Sequence, residues 1–230
     1  MVSCPAPDYS AASVLSPRNS NLIPEFPVYL FDVDGTLLDS AADICGAIQS
    51  VLGAECQVSD EYLRTYIGRH LDDLWSDLFP GCSRERMDRM LADYRGLYLA
   101  RRHTGTKPYP GISAALAALP GRKSTATTKG TPTTRAVLEM FGLLPYFDHV
   151  QGTDGFPAKP APDVILASLD VFEVDPQDCL FIGDSPADME AGRRAGVKTC
   201  GVLWGYGRRE DMERWKPDYW IADPGELRVE

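Results

Sequence analysis

The chain has 230 residues, a net charge of −10 and an isoelectric point near 4.8. Its hydrophobic content of 44% and charged content of 24% are ordinary for a soluble globular protein, and its length suffices for one sizeable core or for a core with a small second domain. No apolar run approaches the ~20 residues of a membrane span, and the negative charge argues against nucleic acid or an anionic membrane as a partner.

Residues 1–24 are rich in Ser, Ala, Pro and Asn, which predicts a loose N-terminal extension. This stretch lacks the apolar segment of a secretory signal. A Ser-rich, acid-poor composition also fits an organelle transit peptide, but such peptides are rich in Arg, and this stretch contains only Arg18. The role of the extension stays open.

The apolar run from Val28 to Phe31 predicts a buried strand, which ends at Asp32, Asp34 and Gly35. Because residues i and i+2 of an extended chain point to the same side, Asp32 and Asp34 are expected to project together from the carboxyl end of the strand. Open α/β sheets bind their ligands at that edge. Two carboxylates this close repel each other unless a cation or a shared proton relieves them. The structural alternative is a strand followed by an ordinary Asp-Gly turn.

Residues 41–103 show helical periodicity and no strand signal. Apolar residues recur at helical spacing in three stretches: Ile44, Ile48, Val51 and Leu52; Leu71, Leu74, Trp75 and Leu78; and Met87, Met90, Leu91, Tyr94, Leu97 and Tyr98. The pattern predicts a small insert of amphipathic helices, and we interpret the stripe of Met and aromatic residues as core rather than as a cofactor site.

From Lys107 onward, short strands and helices alternate. This alternation favours an α/β fold with a parallel sheet and helices on both faces. Helices are predicted from Ile112 to Leu119, from an N-cap at Thr131 to Gly142, from Pro162 through Leu169 and from Pro186 to Gly196, and strands at 122–127, 149–152, 179–182, 199–203 and 219–222.

Three further groups of polar residues lie near predicted strand ends or helix starts. Thr127 and Thr128 end the weak strand 122–127, where a hydroxyl and the following N–H groups can bind phosphate oxygens. The alternative is a structural role, since Thr is common in strands. Lys129, the next residue, is interpreted as a surface lysine.

Lys159 lies in the string Ala158-Lys-Pro-Ala-Pro-Asp163. Two prolines stiffen the approach to the following helix, so the ammonium group is held on a defined backbone and can neutralise an aspartyl-phosphate. The alternative is a solvated lysine in a Pro-rich loop.

Asp184 and Asp188 follow the apolar strand 179–182 in the string Gly183-Asp-Ser-Pro-Ala-Asp188. Asp184, at the strand end, is the expected metal ligand. Ser185, Pro186 and Asp188 form a capping pattern, so one interpretation of Asp188 is a helix cap alone.

Together these groups could cleave a phosphate monoester, which requires a nucleophile, a proton for the leaving oxygen and positive charge around the phosphoryl group. Asp32 can attack phosphorus, and Asp34 can supply a proton and later take one from water. Mg²⁺, which binds carboxylates, waters and substrate oxygens, would relieve the repulsion between the acids.

The string Asp32-Val-Asp-Gly-Thr-Leu-Leu-Asp-Ser40 resembles the first motif of the haloacid dehalogenase-like hydrolases, in the form found in phosphoglycolate phosphatase-like members. The groups around Thr127, Lys159 and Asp184 resemble the other three motifs, in the same order. The resemblance implies a Rossmann-like core (25–40 and 104–230) with a helical cap (41–103) inserted after the first strand.

The resemblance also implies roles for individual residues. Asp32 would be the nucleophile, Asp34 the general acid/base, and Asp188 a support for the metal and the lysine rather than only a helix cap. Mg²⁺ would bind the carboxylates of Asp32 and Asp184 and the backbone carbonyl of Asp34, and phosphate would bind Thr127, Thr128 and Lys159. The cap would choose the substrate, and Arg69, in a stretch resembling the family's specificity loop, would bind a carboxylate or a second phosphate. Arg69 is equally well explained as an exposed residue at a helix start.

The expected activity is thus a Mg²⁺-dependent phosphatase for small phosphate esters, with 2-phosphoglycolate the leading guess. A sugar phosphomutase is disfavoured, because such relatives tend to carry Glu where this chain has Gly183. Dehalogenases of this family lack the second acid of the first motif, which is present here as Asp34, so that activity is disfavoured. A phosphonate hydrolase would need a lysine in the cap, and residues 41–103 contain none. A non-catalytic binding module is the alternative from another class.

The six cysteines are scattered, with no Cys-x-x-Cys pair and no paired Cys/His spacing. Zinc is therefore not expected, and reduced thiols in the cytoplasm are the default interpretation. For the assembly, the expectation is a monomer or a weak homodimer.

Overall fold

The computed structural model describes residues 23–228. The predicted extension therefore lies outside the described residues, apart from Ile23 and Pro24. Ile23 is buried in the hydrophobic core, so packing begins at least two residues earlier than the predicted start of the core at residue 25.

Strands and helices alternate along most of the chain. The strands are β1 (Val28–Phe31), β2 (Leu38–Asp39), β3 (Lys107–Pro108), β4 (Arg122–Thr125), β5 (Cys179–Gly183), β6 (Lys198–Val202) and β7 (Tyr219–Ile221). The helices are α1 (Ala41–Leu52), α2 (Asp60–Arg64), α3 (Leu71–Leu78), α4 (Arg84–Ala100), α5 (Ile112–Ala118), α6 (Thr131–Met140), α7 (Asp163–Phe172), α8 (Pro186–Ala195) and α9 (Arg209–Glu213). None of these helices is both long enough and apolar enough to cross a membrane.

Five of the strands form a parallel sheet in the order β4-β1-β5-β6-β7. β1 is fully buried and lies between β4 and β5, with Phe31 opposite Thr125 on one side and Ile182 on the other. Hydrophobic clusters pack against the sheet. The predicted α/β, Rossmann-like fold is confirmed, and β1 brings its carboxyl end into the middle of the sheet.

Local boundaries differ from the predictions in small ways. β4 ends at Thr125 rather than at residue 127, and α6 has Gly130 rather than Thr131 at its N-cap. Residues 149–152 form isolated bridges instead of a strand. α8 begins at Pro186 and stops at Gly196, whose φ of 78° lies in the left-handed region that glycine adopts without strain.

Helices α1 to α4 pack around a hydrophobic cluster of their own. Its fully buried members include Leu63, Leu74 and Trp75. Met87, Met90 and Tyr98 of the predicted stripe are also buried in it, as expected for core residues. The prediction was wrong for Leu97, which is 37% exposed, and Leu91 and Tyr94 are only partly buried because they line a cavity. Hydrophobic burial therefore holds residues 41–100 together separately from the clusters on the sheet.

Two linkers connect the sheet to helices α1 to α4: residues 32–40 lead out of the sheet, and residues 101–111 lead back to it. β2 and β3 pair antiparallel, with Leu38 opposite Pro108 and Asp39 opposite Lys107. Asp43, fully buried in α1, accepts hydrogen bonds from the Gly105 N–H (2.9 Å) and the Thr106 hydroxyl (2.7 Å) in the returning linker. The Arg101 guanidinium lies 3.2 Å from its other oxygen. This carboxylate therefore ties the outgoing helix to the returning chain.

Replacing Asp43 by Ala should lower the free energy of unfolding by about 3 kcal/mol, because the buried Thr106 hydroxyl, the Gly105 N–H and Arg101 lose a charged acceptor. Asp93→Ala, on the exposed surface of α4, is the matched control and should stay within about 0.5 kcal/mol. Urea unfolding of both variants measures the difference. Equal stabilities would show that Asp43 does not hold the linkers together.

Candidate active site

Two acidic residues lie side by side at the carboxyl edge of the sheet. Asp32 directly follows β1, and its N–H donates to the Ile182 carbonyl of β5 (2.9 Å). Asp184 directly follows β5. Since β1 and β5 are neighbours in a parallel sheet, these residues emerge at the same place although they are far apart in sequence.

Lys159 joins Asp32 to Asp188. Its Nζ lies 2.8 Å from Asp32 Oδ1 and 2.5 Å from Asp188 Oδ1. All three side chains are buried, and the Lys159 side chain has no exposed surface. The Pro-rich loop before α7 therefore delivers the ammonium group to the acids, and it is not a solvated surface lysine.

Asp188 both caps a helix and contacts Lys159. Its Oδ2 accepts from the N–H (2.9 Å) and the hydroxyl (2.6 Å) of Ser185, which completes a capping box at the start of α8. Its Oδ1 contacts Lys159. The cap holds the carboxylate in place, and the carboxylate in turn orients the lysine.

Asp184 is held from several sides. Its Oδ1 accepts from the Thr36 hydroxyl (3.0 Å) and its Oδ2 from the Tyr206 N–H (2.8 Å). A Cβ added at Gly35 or at Gly205 would overlap the Asp184 side chain. Gly35 also has a φ of 92°, which disfavours any other residue. The two glycines let backbone approach the carboxylate closely.

The acids at this edge fit a hard divalent cation. Carboxylate oxygens of Asp32, Asp184 and Asp188 all lie within 4.8 Å of one another. Within residues 23–228, Asp32 Oδ2 is buried without a hydrogen-bond partner, whereas both oxygens of Asp188 are already engaged by Lys159 and Ser185. Buried carboxylate oxygens are the ligands that Mg²⁺ prefers. Asp188 is already paired with an ammonium group, whereas the hydrogen bonds to Asp184 come from the neutral Thr36 and Tyr206, so Asp32 and Asp184 are favoured as the carboxylate ligands.

Asp34 has different partners from Asp32. The Ser40 hydroxyl donates to its Oδ1 (2.6 Å), and the Lys129 ammonium lies 3.2 Å from its Oδ2. Asp34 also lines a cavity. Its side chain therefore faces the space where a substrate would lie.

Lys129 is not the surface lysine that the sequence predicted. Its side chain is 9% exposed, its Nζ donates to the Tyr98 hydroxyl (3.0 Å), and it lies 4.4 Å from the centre of the Tyr98 ring. Burial lowers the pKa of Lys129, but Asp34, Tyr98 and Tyr94 together raise it by more, so the group stays charged. The prediction was wrong because helix α4 covers this part of the loop.

Thr127 and Thr128 lie in the same loop after β4. Thr127 is fully buried, and its hydroxyl accepts from the Lys129 N–H (3.4 Å). Thr128 is half-buried and lines the cavity. The loop thus presents Thr128 to the cavity and holds Thr127 beneath the surface.

The cavity lies between the helical insert and the loops of the sheet and has a volume of about 420 Å³. Arg69 lines it, with its guanidinium 3.2 Å from Asp73 and 4.6 Å from the centre of the Tyr66 ring. Other residues from both parts of the chain share the lining: Asp34, His70, Tyr94, Arg95, Tyr98, Thr128 and Lys129.

Known proteins resemble this chain over most of its length. Residues 29–202 match the family model described as haloacid dehalogenase-like hydrolase. The chain belongs to this family. The predicted family resemblance is therefore confirmed.

Among curated relatives of this hydrolase, the phosphoglycolate phosphatase of Aquifex aeolicus is 35% identical over 207 residues, covering 87% of this chain and 94% of the relative. The pyrophosphatase PpaX of Bacillus velezensis is 28% identical, with 86% and 93% covered. Among solved structures, a predicted phosphatase from Clostridium acetobutylicum superposes with a TM-score of 0.82 at 28% identity, over 88% of this chain and 96% of that one.

Burial changes the charge states of this hydrolase's acids. It raises the pKa of Asp32 to about 6, an effect that the nearby Lys159 opposes. Burial, together with the charges of Asp188 and Asp32, raises the pKa of Asp184 to about 8. Burial lowers the pKa of Lys159, but Asp188 and Asp32 raise it by more, so Lys159 stays an ammonium ion. Excess negative charge thus collects around Asp184.

The sequence interpretation missed two residues of the hydrolase besides Lys129. Arg95 does not belong to the apolar stripe of α4, so the sequence pattern indicates only a solvent-exposed residue. The structure shows that Arg95 lines the cavity. Tyr206 lies in the loop Leu203-Trp-Gly-Tyr-Gly207 after β6. The two glycines around this aromatic residue were the available signal, since they allow close backbone approach.

Without divalent cations, the thermal midpoint of the hydrolase should fall as pH rises from 5 to 8. The pKa of Asp184 is raised from its ordinary value of 3.8 to about 8, so the folded state binds this proton more tightly than the unfolded state and loses the advantage as pH rises. Thermal melts in a chelator, with wild type and Asp184→Asn compared, measure the effect.

The Asp184→Asn variant should show a shallower pH dependence, and the exposed control Asp170→Asn should follow wild type. Mg²⁺ should restore stability to wild type more at pH 8 than at pH 5.5, because protons compete with the cation for the same oxygens. Identical slopes for wild type and Asp184→Asn would refute the assignment of the proton to this group.

Proposed function

We propose that this hydrolase is a Mg²⁺-dependent phosphatase for small phosphate esters that works through an aspartyl-phosphate on Asp32, with 2-phosphoglycolate as the leading substrate. The observation that carries the proposal is the buried ammonium group of Lys159, 2.8 Å from one oxygen of Asp32, while the other oxygen lacks a hydrogen-bond partner in the described chain. A carboxylate in this setting is oriented and available for attack.

In the first step, an oxygen of Asp32 attacks phosphorus and the bond to the leaving oxygen breaks. The carboxyl group of Asp34, which faces the cavity, gives its proton to that oxygen, and the alcohol departs. In the second step, Asp34 takes a proton from water as the water oxygen attacks phosphorus. The bond to Asp32 breaks, and inorganic phosphate leaves with Asp32 free again.

Positive groups of the chain surround this reaction. Lys159 neutralises charge on the Asp32 side, and Lys129 lies beside Asp34 on the cavity side. Thr127 and Thr128 are proposed to bind phosphate oxygens. Mg²⁺ would be held by the carboxylates of Asp32 and Asp184 and the backbone carbonyl of Asp34, and when bound it would screen the charges of the acids and the phosphate.

We propose that residues 41–103 act as a cap that selects the substrate. These residues have their own hydrophobic cluster, connect through two adjacent linkers and form one side of the cavity. Arg69 and Lys129 approach the cavity from opposite parts of the chain, which suits a leaving group that carries its own negative charge. 2-Phosphoglycolate and pyrophosphate both have this character, in keeping with the names of the relatives.

The sugar phosphomutase alternative meets a steric obstacle. A Cβ at Gly183 would lie 2.5 Å from Asp188 Cγ, so the Glu that such relatives tend to carry would displace the carboxylate that orients Lys159. Release of free phosphate, rather than its retention on the product, separates the two activities. Absence of any Mg²⁺-dependent hydrolysis of p-nitrophenyl phosphate would favour a non-catalytic module instead.

Replacing Asp32 by Asn should lower kcat by at least roughly 10³-fold, because the amide cannot attack phosphorus. Phosphate release from 2-phosphoglycolate and from p-nitrophenyl phosphate measures the loss. Asp170→Asn, an exposed change of the same kind, should retain full activity, and circular dichroism should show that both variants are folded. A fully active Asp32→Asn enzyme would rule out the aspartyl-phosphate mechanism.

Replacing Arg69 by Gln should raise KM for 2-phosphoglycolate roughly tenfold, since a charged hydrogen bond to the leaving group is lost. KM for p-nitrophenyl phosphate, whose leaving group has no separate anionic substituent, should change less than about twofold. Arg89→Gln, on the exposed side of α4, is the matched control. Equal changes in KM for both substrates would mean that Arg69 does not bind the anionic part of the leaving group.

A further inference from the structure

Tyr206 reaches from the sheet to the first helix of the insert. Its hydroxyl accepts hydrogen bonds from the N–H groups of Ser40 (2.7 Å) and Ala41 (2.9 Å), where α1 begins. It donates to Asp39 Oδ1 at 3.2 Å. The donor and both acceptor positions of the hydroxyl are therefore used at the linker between sheet and insert.

This contact replaces a cap that the sequence would supply locally. Ser40 occupies the N-cap position of α1, where a serine side chain usually accepts an N–H of the first turn. Here Ser40 has φ −113° and ψ 2°, and its side chain makes no cap hydrogen bond. Its hydroxyl donates to Asp34 Oδ1 instead (2.6 Å). The tyrosine hydroxyl satisfies donors at the helix start and leaves the serine free to hold the acid.

The backbone of the same tyrosine holds the other end of the site. The Tyr206 N–H donates to Asp184 Oδ2 (2.8 Å). Gly205 and Gly207 lie so close that a Cβ on either would overlap Asp184. The loop is therefore packed tightly against Asp184, while the side chain of the same tyrosine contacts the start of α1.

We propose that Tyr206 is a positioning residue that couples Asp184, the candidate metal ligand, to Ser40 and thereby to Asp34, the candidate acid/base. This inference rests on the proposed phosphatase function. Tyr206 holds the start of α1, and Ser40 keeps Asp34 oriented toward the cavity; a cation held by Asp184 would stabilise the loop that carries Tyr206 and so strengthen these contacts. Because coupling between two sites is reciprocal, a change at either end is felt at the other.

Kinetics of a double-mutant cycle test the path through Ser40. Tyr206→Phe keeps the ring and the N–H but removes the hydroxyl, so Ser40 is drawn to the helix start and away from Asp34. We expect kcat to fall about tenfold with KM within about twofold, and Ser40→Ala to do the same. The double variant should lose about tenfold rather than about 100-fold, because both changes break one path.

Tyr29→Phe is the matched control. It also removes a buried tyrosine hydroxyl that accepts a backbone N–H, from Phe26 (2.9 Å), but this contact lies at the start of β1. The control should lose stability and keep its kcat. The proposal is overturned if Tyr206→Phe matches Tyr29→Phe in kcat, if KM rather than kcat changes, or if the losses from Tyr206→Phe and Ser40→Ala multiply.

Hydrogen exchange tests the coupling without turnover. In wild type, Mg²⁺ should slow amide exchange at Ser40 and Ala41, followed in the peptide 39–44. In Tyr206→Phe these amides should exchange faster, at a rate that Mg²⁺ no longer changes. A Mg²⁺ effect that survives in the variant, or that is missing in wild type, overturns the coupling. A wild type that releases no phosphate would instead refute the proposed function, and the exchange result would still decide the coupling.

Discussion

The contact of Lys159 with Asp32 and Asp188 is the interaction on which the site depends. Each of these groups is buried, and a buried charge without a partner costs several kcal/mol. The ammonium group relieves Asp32 and Asp188 but does not touch Asp184, whose pKa is raised. The fold thus assembles more negative charge than its own cations balance. This excess of negative charge is the physical reason to expect a divalent cation at this place.

The parallel sheet makes that concentration of charge possible. β1 and β5 are neighbours, so the residues after them meet although about 150 positions separate them in the chain. The close approach also needs backbone without side chains at Gly35 and Gly205, since any Cβ there would overlap Asp184. The net charge of the whole chain is −10, but the charged side chains that line the cavity are Arg69, Arg95 and Lys129 against Asp34 and Asp154. Positive groups thus outnumber acidic ones there, which suits the anionic substrate proposed above.

The linkers between the sheet and the helical insert hold the two parts together and also contact residues of the proposed active site. Asp43 joins the outgoing helix to the returning chain, and Tyr206 joins its start to the loop that holds Asp184. Ser40 lies at the start of α1, and its hydroxyl donates a hydrogen bond to Asp34 instead of capping the helix. Movement of the insert is therefore linked to the orientation of the acid. If residues 41–103 act as a cap, this arrangement would couple the position of the cap to the orientation of the Asp34 carboxyl group.

The sequence by itself determined the α/β alternation, the helical insert, the family and the acids at the strand ends. Those features follow from local periodicity and from short strings such as the one from Asp32 to Ser40, in which neighbouring residues carry the information. It also predicted Lys159, because the prolines beside it restrict the backbone locally.

Only the tertiary structure decided the environment of Lys129, the dual contacts of Asp188 and the role of Tyr206. A lysine is a surface residue unless something covers it, and here the cover is Tyr98, 31 positions earlier. Tyr206 meets Ser40 across 166 positions. Contacts of this kind depend on how distant elements pack and leave no periodic or local pattern in the chain, so they could not be predicted before the fold was known.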